Sequence, residues 1–430
     1  MLIKLKHDLN PLLLMLSSRP LLLLLLILLL TGCALVSDTS QDTASAAAPN
    51  GKEIRAIWVT RWDFHTPEDI RKIMRNAASI GCNRVFLQVR GEGTCFFKSR
   101  VEPWAWELTG DDPSTTGRDP GWDPLKTAIQ EAHAAGIELH AYMNVLPSWN
   151  SRKMPPRNID HPINTHRDWF MVGESGRPMT PPVEDCYPFL NPALPEVRAH
   201  LVRVFGDVAR NYPGLDGIHL DYIRYPGDVG MYSYDRTSLV EFRAYSNGRS
   251  PKDAPAEWTR WRSSRINLLL AEIGREVRTA QPKLEFSAAV LGDYPSAYEE
   301  NAQNWLAWLD VGLIDTIVTM SYQYDETKYR NMIEFPLAEH HPKKGQLVIG
   351  VFPQEAWRKS GKYTFKTLSR QIDLARQMGA DGIALFSYAI FFPHHEPNEW
   401  AAYVRNNCFN KPVASPKQSV SQTRVPAKAR

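Results

Sequence analysis

From Glu53 onward the chain alternates short runs rich in β-branched and aromatic residues with longer amphipathic runs, eight times over. No other feature restricts the fold so strongly, because strands joined by helical crossovers must pair in parallel. The strand candidates are IRAIWVT (54–60), NRVFLQVR (83–90), IELHAYMNVL (137–146), LDGIHLDYI (215–223), LEFSAAVLG (284–292), DTIVTMSY (315–322), QLVIGVF (346–352) and DGIALFSY (381–388). Glycine closes several helix-to-strand junctions, as in AASIGCNRVFLQV and RQMGADGIALF, where a helix end favours a residue free to turn left-handed. Eight such units predict an α/β fold, a (β/α)8 TIM barrel over residues 53–408. Its βα loops after strands 2, 3 and 4 (91–121, 147–191 and 227–258) are enlarged. A two-domain dinucleotide-binding arrangement fits less well, because no G-x-G-x-x-G follows the first strand.

The flanks read differently. Leu21 to Leu30 is a ten-residue apolar run, short for a bilayer span. It leads into Leu30-Thr31-Gly32-Cys33, which resembles the lipobox of bacterial lipoproteins. That resemblance implies that residues 1–32 are a signal peptide and that Cys33 is lipidated, anchoring the protein to a membrane of the cell envelope. Small and polar residues make 33–52 a flexible tether, and 409–430 reads as a disordered basic tail. A net charge of +3 over 430 residues does not suggest nucleic acid as a partner. Cys82, Cys95, Cys186 and Cys408 could pair in an oxidising compartment, in three different ways.

Polar residues inside apolar strands narrow the function. Side chains alternate between the faces of a strand, so in LDGIHLDYI the outer face takes Ile218, Leu220 and Tyr222, leaving His219 and Asp221 on the barrel axis. Asp221 falls near the C-terminal end of its strand, where barrel enzymes build their sites. The same alternation groups Gln88 with Arg90, ahead of Glu92, and His140 with Tyr142 and Asn144. Asp293 follows the fifth strand, and Tyr322 and Asp325 follow the sixth.

Carboxylates that converge at a barrel mouth suit glycosidic cleavage, in which one acid protonates the leaving oxygen and its partner attacks the anomeric carbon or activates water. Asp221 is the central carboxylate of this expectation, with Asp293 and Asp325 as candidate partners. Gln88, Arg90, Glu92, His140, Asn144, His219, Arg224 and Tyr322 are candidate substrate-binding residues. Trp104, Trp106, Trp122 and Trp149 in the long loops offer stacking faces for sugar rings. The tandem histidines His340-His341 and His394-His395 read as solvated, and no cofactor or metal is implied. A metal-dependent deacetylase lacks the H-x3-H spacing at any strand end, whereas a glycan-binding protein on a barrel that has lost its chemistry remains an alternative.

The motifs RAIWVTRWDF, NRVFLQVRGEG, NPALPEVRAHL, LDGIHLDYIRYP and WLAWLDVGLIDTIVTMSY, in this order, together resemble the glycosyl-hydrolase-like 10 family of bacterial barrel proteins. The resemblance implies a retaining-type glycosidase ancestry with Asp221 in the active site. It further implies a polysaccharide substrate, with peptidoglycan strands freed of stem peptides as the leading candidate. The fourth strand is also similar to that of family-18 chitinases, but Ile223 stands where those enzymes carry a catalytic glutamate.

Overall fold

The computed structural model describes residues 53–410, apart from 184–185, 228–229 and 341–343. The expected signal peptide, the lipidation site Cys33 and the tether up to residue 52 lie outside the described residues, as does nearly all of the basic tail.

Eight parallel strands close into a barrel in sequence order: β1 (Ile54–Val59), β2 (Arg84–Arg90), β3 (Glu138–Asn144), β4 (Gly217–Asp221), β5 (Glu285–Leu291), β6 (Thr316–Met320), β7 (Gln346–Val351) and β8 (Gly382–Leu385). Helices lie between them, with long ones at Pro195–Asn211 and Pro255–Ala280 packed on one another. Their starts are written locally. Thr66 and Asp69 form a reciprocal capping box ahead of Pro67, and Asp123 caps the helix that begins at Pro124, each satisfying N–H groups that a first turn leaves open. The αβ junctions turn at Gly136 (φ +70°) and Gly379 (φ +88°), as the sequence predicts.

Two apolar layers result. The outer faces of the strands pack under the helices, while Ile54, Ala56, Trp58, Phe86, Tyr142, Ala289, Val318, Val348 and Ala384 fill the barrel itself. Three alanines in that set leave room for the three large rings, so the interior is packed and not a pore. Its N-terminal end is closed by buried charge: Arg84 pairs with Glu138 at 2.8 Å and Glu285 at 2.7 Å, and the Thr316 hydroxyl donates to Glu285. The other end is formed by the C-terminal ends of the strands. There the enlarged loops form walls, holding short helices at Trp106–Leu108, Pro113–Thr115, Pro162–Thr165, Arg167–Trp169 and Arg236–Tyr245.

Candidate active site

Strand β4 carries two inward polar residues at different depths. His219 is fully buried, stacked on Phe86 with ring centroids 3.9 Å apart. The Trp58 indole donates to its Nε2 at 3.0 Å, and its Nδ1 lies 2.9 Å from the Ser287 hydroxyl. Burial, then the nearby His140 and Arg84, holds its pKa well below the usual value, so the ring is neutral. With Nε2 accepting, the proton sits on Nδ1. His140 is equally buried, and Gly217 makes its room: a Cβ there would lie 2.3 Å from the imidazole. Both histidines, expected to contact substrate, instead pack the barrel interior beneath the site. The correction is one of depth, because alternation reveals a side chain's face and not its distance from the mouth.

Asp221, two residues further along, reaches the mouth. The Tyr142 hydroxyl donates to Oδ2 at 2.8 Å, and the Tyr222 backbone N–H and Arg224 Nη1 donate to Oδ1 at 2.6 and 3.2 Å. Three donors face this carboxylate, which suits a group that accepts or attacks. The strand ends here, short of the stretch read from sequence, because Tyr222 takes φ +53°. A tyrosine in the left-handed region stores about 1–3 kcal/mol of strain, and the turn brings its ring under the Arg224 guanidinium, 4.3 Å away. Tyr322 also approaches: burial and then the charge of Asp221 push its pKa well up, and its buried hydroxyl has no hydrogen-bond partner among the described residues. Gln88 accepts from the Arg61 N–H at 3.0 Å and donates to Asn144 Oδ1 at 3.3 Å. Asn144 lies opposite Asp221 in the β3–β4 register.

Beside Asp221 the mouth opens into a cleft of about 450 Å³ lined by Arg61, Trp62, Glu92, Trp106, Asn150, Tyr187 and Tyr222 among others. Arg61 ties several of these residues together. The guanidinium pairs with Glu92 at 2.6 Å and Glu107 at 3.0 Å, under the Trp62 ring at 4.6 Å. Gly91 permits this crossing, since a Cβ there would meet the guanidinium at 2.6 Å. Glu92 Oε2 accepts the Asn150 N–H at 3.0 Å, and His161 bonds the Glu92 carbonyl at 2.8 Å. Behind Arg61, burial pushes the Glu107 pKa up against the pull of the guanidinium. Tyr187 is raised by burial, opposed by Arg61, and raised further by both Glu92 and Asp221, so its phenol is within range of both carboxylates.

Arg61, Trp62, Tyr187 and Glu107 were not among the sequence candidates, nor was Tyr142 assigned a role. The available signal was Arg61-Trp62 directly after β1, at the end of the barrel where the other strands deliver polar residues.

Other candidates sit elsewhere. Arg90 does not reach the cleft. A register shift between Gln88 and Arg90 sets it opposite Met143, which packs in the outer layer, so the alternation that grouped it with Gln88 fails at a β-bulge. There it pairs with Glu102 at 2.6 Å, which also bonds His200 at 2.9 Å. Asp325 accepts the Lys328 N–H at 2.9 Å and caps the helix Glu326–Glu339. Asp293, exposed at the end of β5, makes no such cap. Trp149 is fully buried, Trp104 and Trp122 are half-buried against the core, and of the four loop tryptophans Trp106 lines the cleft. His340 and His395 are partnered rather than solvated, bonding Asp381 at 3.1 Å and the Tyr388 hydroxyl at 3.0 Å. His341 lies outside the described residues, and His394 is exposed. Cys82, Cys95 and Cys408 are buried free thiols, and Cys186 lines the cleft. Among the described residues no three His, Cys, Asp or Glu side chains gather as a metal site would require.

A closed eightfold barrel whose loops wall a carboxylate-bearing cleft at the C-terminal ends of its strands has the architecture of the glycoside hydrolases. The chain belongs to the glycosyl hydrolase-like 10 family, whose model matches residues 53–351. It is 24% identical over 370 residues to glycosyl hydrolase YngK of Bacillus subtilis (strain 168), covering 77% of this chain and 68% of that protein. To glycosyl hydrolase DigH of Escherichia coli (strain K12) it is 25% identical over 298 residues, covering 63% of this chain and 62% of that protein. The match thus spans about two thirds of each relative's length. In fold it is similar to the PgaB (BpsB) glycoside hydrolase domain of Bordetella bronchiseptica (TM-score 0.59, 15% identity, 82% of this chain and 98% of that one). It is also similar to the catalytic domain of the Paenibacillus polymyxa β-amylase (TM-score 0.60, 13% identity, 85% and 99%).

Proposed function

We propose that the protein is a glycoside hydrolase cleaving a polysaccharide of the bacterial cell envelope, with the glycan strands of peptidoglycan as substrate. The observation that carries the reading is the placement of Asp221: at the mouth end of β4, held by three donors, beside an aromatic cleft. In this reading Asp221 is the nucleophile, or the base that takes a proton from water, and a second carboxyl protonates the leaving oxygen. Asp293 suits the donor role better than Asp325, whose carboxylate is engaged in a helix cap. Glu92, tied to Arg61 and the Asn150 N–H, serves as an acceptor toward substrate.

Release of reducing ends from purified glycan strands, wild type against Asp221→Asn, tests this. A rate lower by about a hundredfold or more is expected, and equal release by the two proteins would remove Asp221 from the chemistry. The employment of Asp325 as a cap favours one other reading, a glycan-binding protein without turnover. Binding to glycan with no product at any pH would select it. The sequence LTGC supports anchoring through a lipidated Cys33, and Cys33→Ser should move the protein from the membrane fraction to the soluble one.

A further inference from the structure

Twelve of the thirteen tryptophans are buried or half-buried; Trp62 is 52% exposed. Its position is what gives this meaning. It stands at the cleft rim, with the Trp106 ring at 5.9 Å and an interplanar angle of 62°, so the two rings make a corner. Beneath it the Arg61 guanidinium lies 4.6 Å from the ring centre, itself fastened to Glu92 and Glu107. A cation against one face of an indole holds that ring in place, and Trp62 stays 52% exposed at the cleft. An indole face carries negative quadrupole charge and attracts the polarised C–H bonds on the flat side of a pyranose.

The polar edge of this corner is Glu92. Its Oε1 accepts from Arg61 and its Oε2 from the Asn150 N–H. Each carboxylate oxygen has two acceptor sites, so each retains one, and Glu92 lines the cleft, a pattern that matches two hydroxyl groups of one sugar ring. Arg61 offers no net charge to a ligand, because two carboxylates already face it. Glu92 therefore presents acceptors at this corner, and an acidic sugar would bring its carboxylate against it.

The geometry points to a subsite formed by Trp62, Trp106 and Glu92 that holds a neutral pyranose residue, beside the bond-breaking centre at Asp221 and separate from it. This inference rests on the reading of the protein as a glycoside hydrolase and deepens it. In a polymer that alternates neutral and acidic sugars, such a subsite admits one of the two residues and so sets the register in which the chain lies over Asp221.

The full chain carrying Asp221→Asn, which removes turnover, serves for binding. It is titrated by calorimetry and tryptophan fluorescence with a hexamer of N-acetylglucosamine and, separately, with a hexamer of a uronic acid. The neutral hexamer should bind at least tenfold more tightly than the uronide. Adding Trp62→Ala should weaken the neutral hexamer by about tenfold, and adding Glu92→Gln should narrow the preference against the acidic one. Trp62 is half in solvent, so its truncation leaves the core intact, which an unchanged melting temperature would verify. Equal binding with and without Trp62, equal binding of both hexamers, or binding of neither overturns the subsite. Reducing-end release by the wild type separates the two readings. Cleavage of glycan strands that Trp62→Ala does not alter defeats the subsite alone, and binding as expected without any cleavage defeats the hydrolase alone.

Discussion

The Tyr142 hydroxyl donates to Asp221 Oδ2 at 2.8 Å, from the neighbouring strand and on the side opposite the donors that hold Oδ1. The two residues come from different barrel strands, so the carboxylate's orientation depends on the β3–β4 register. Tyr142→Phe removes this hydrogen bond while keeping the ring that fills the interior. A hydrogen bond to a charged group is worth about 1.5–3 kcal/mol, so the rate should fall by about ten- to a hundredfold. A rate equal to that of the wild type would show that Tyr142 only fills space.

Arg90→Met should be costly for a different reason. Burial alone would raise the Glu102 pKa, but Arg90 and His200 hold it well below the ordinary carboxylate value. Without Arg90 that charge is stranded in the outer layer, a loss of about 3–5 kcal/mol. Urea unfolding measures it, and a variant as stable as the wild type would contradict the structural role.

His161 makes stability depend on pH. Burial lowers its pKa from 6.5 to about 4, although its ring bonds the Glu92 carbonyl. Between those values the unfolded chain binds a proton that the folded chain refuses. This contribution is therefore complete above pH 6.5 and is lost as pH falls toward 4, by about 2 kcal/mol between pH 7 and 5. The neutral His219 adds loss of the same sign. Chemical unfolding at the two pH values should show the fall, and His161→Gln should reduce it by about that amount; an unchanged slope would place the proton elsewhere.

Gly91→Ala tests how Arg61 is seated. The new methyl would lie 2.6–2.8 Å from the guanidinium, and overpacking of this kind costs about 1–3 kcal/mol. A lower melting temperature together with altered Trp62 fluorescence is expected. No change in either would mean that Arg61 has a second place to sit.

The barrel was legible because its information is local and repeated. Strand runs such as IELHAYMN and turn glycines such as Gly379 each act within a few residues. Asp221 stood out for the same reason, as a carboxylate on the apolar alternation of β4. Arg90 was misplaced because a bulge breaks alternation without any mark in the residues around it. Asp325 read as a candidate partner of Asp221, and the Lys328 N–H that it accepts makes it the cap of a helix.

Sequence alone therefore determined the eightfold alternation, the enlarged loops after strands 2, 3 and 4, and the strand that presents Asp221, all consequences of periodicity. Tertiary structure alone decided who stands beside Asp221. Tyr142, the adjacent Arg61 and Trp62, and Glu92 come from β3, the end of β1 and the loop after β2, and no spacing along the chain relates these three segments. Closure of the barrel brings these strand ends together, and depth along the axis then separates the buried His140 and His219 from the open cleft.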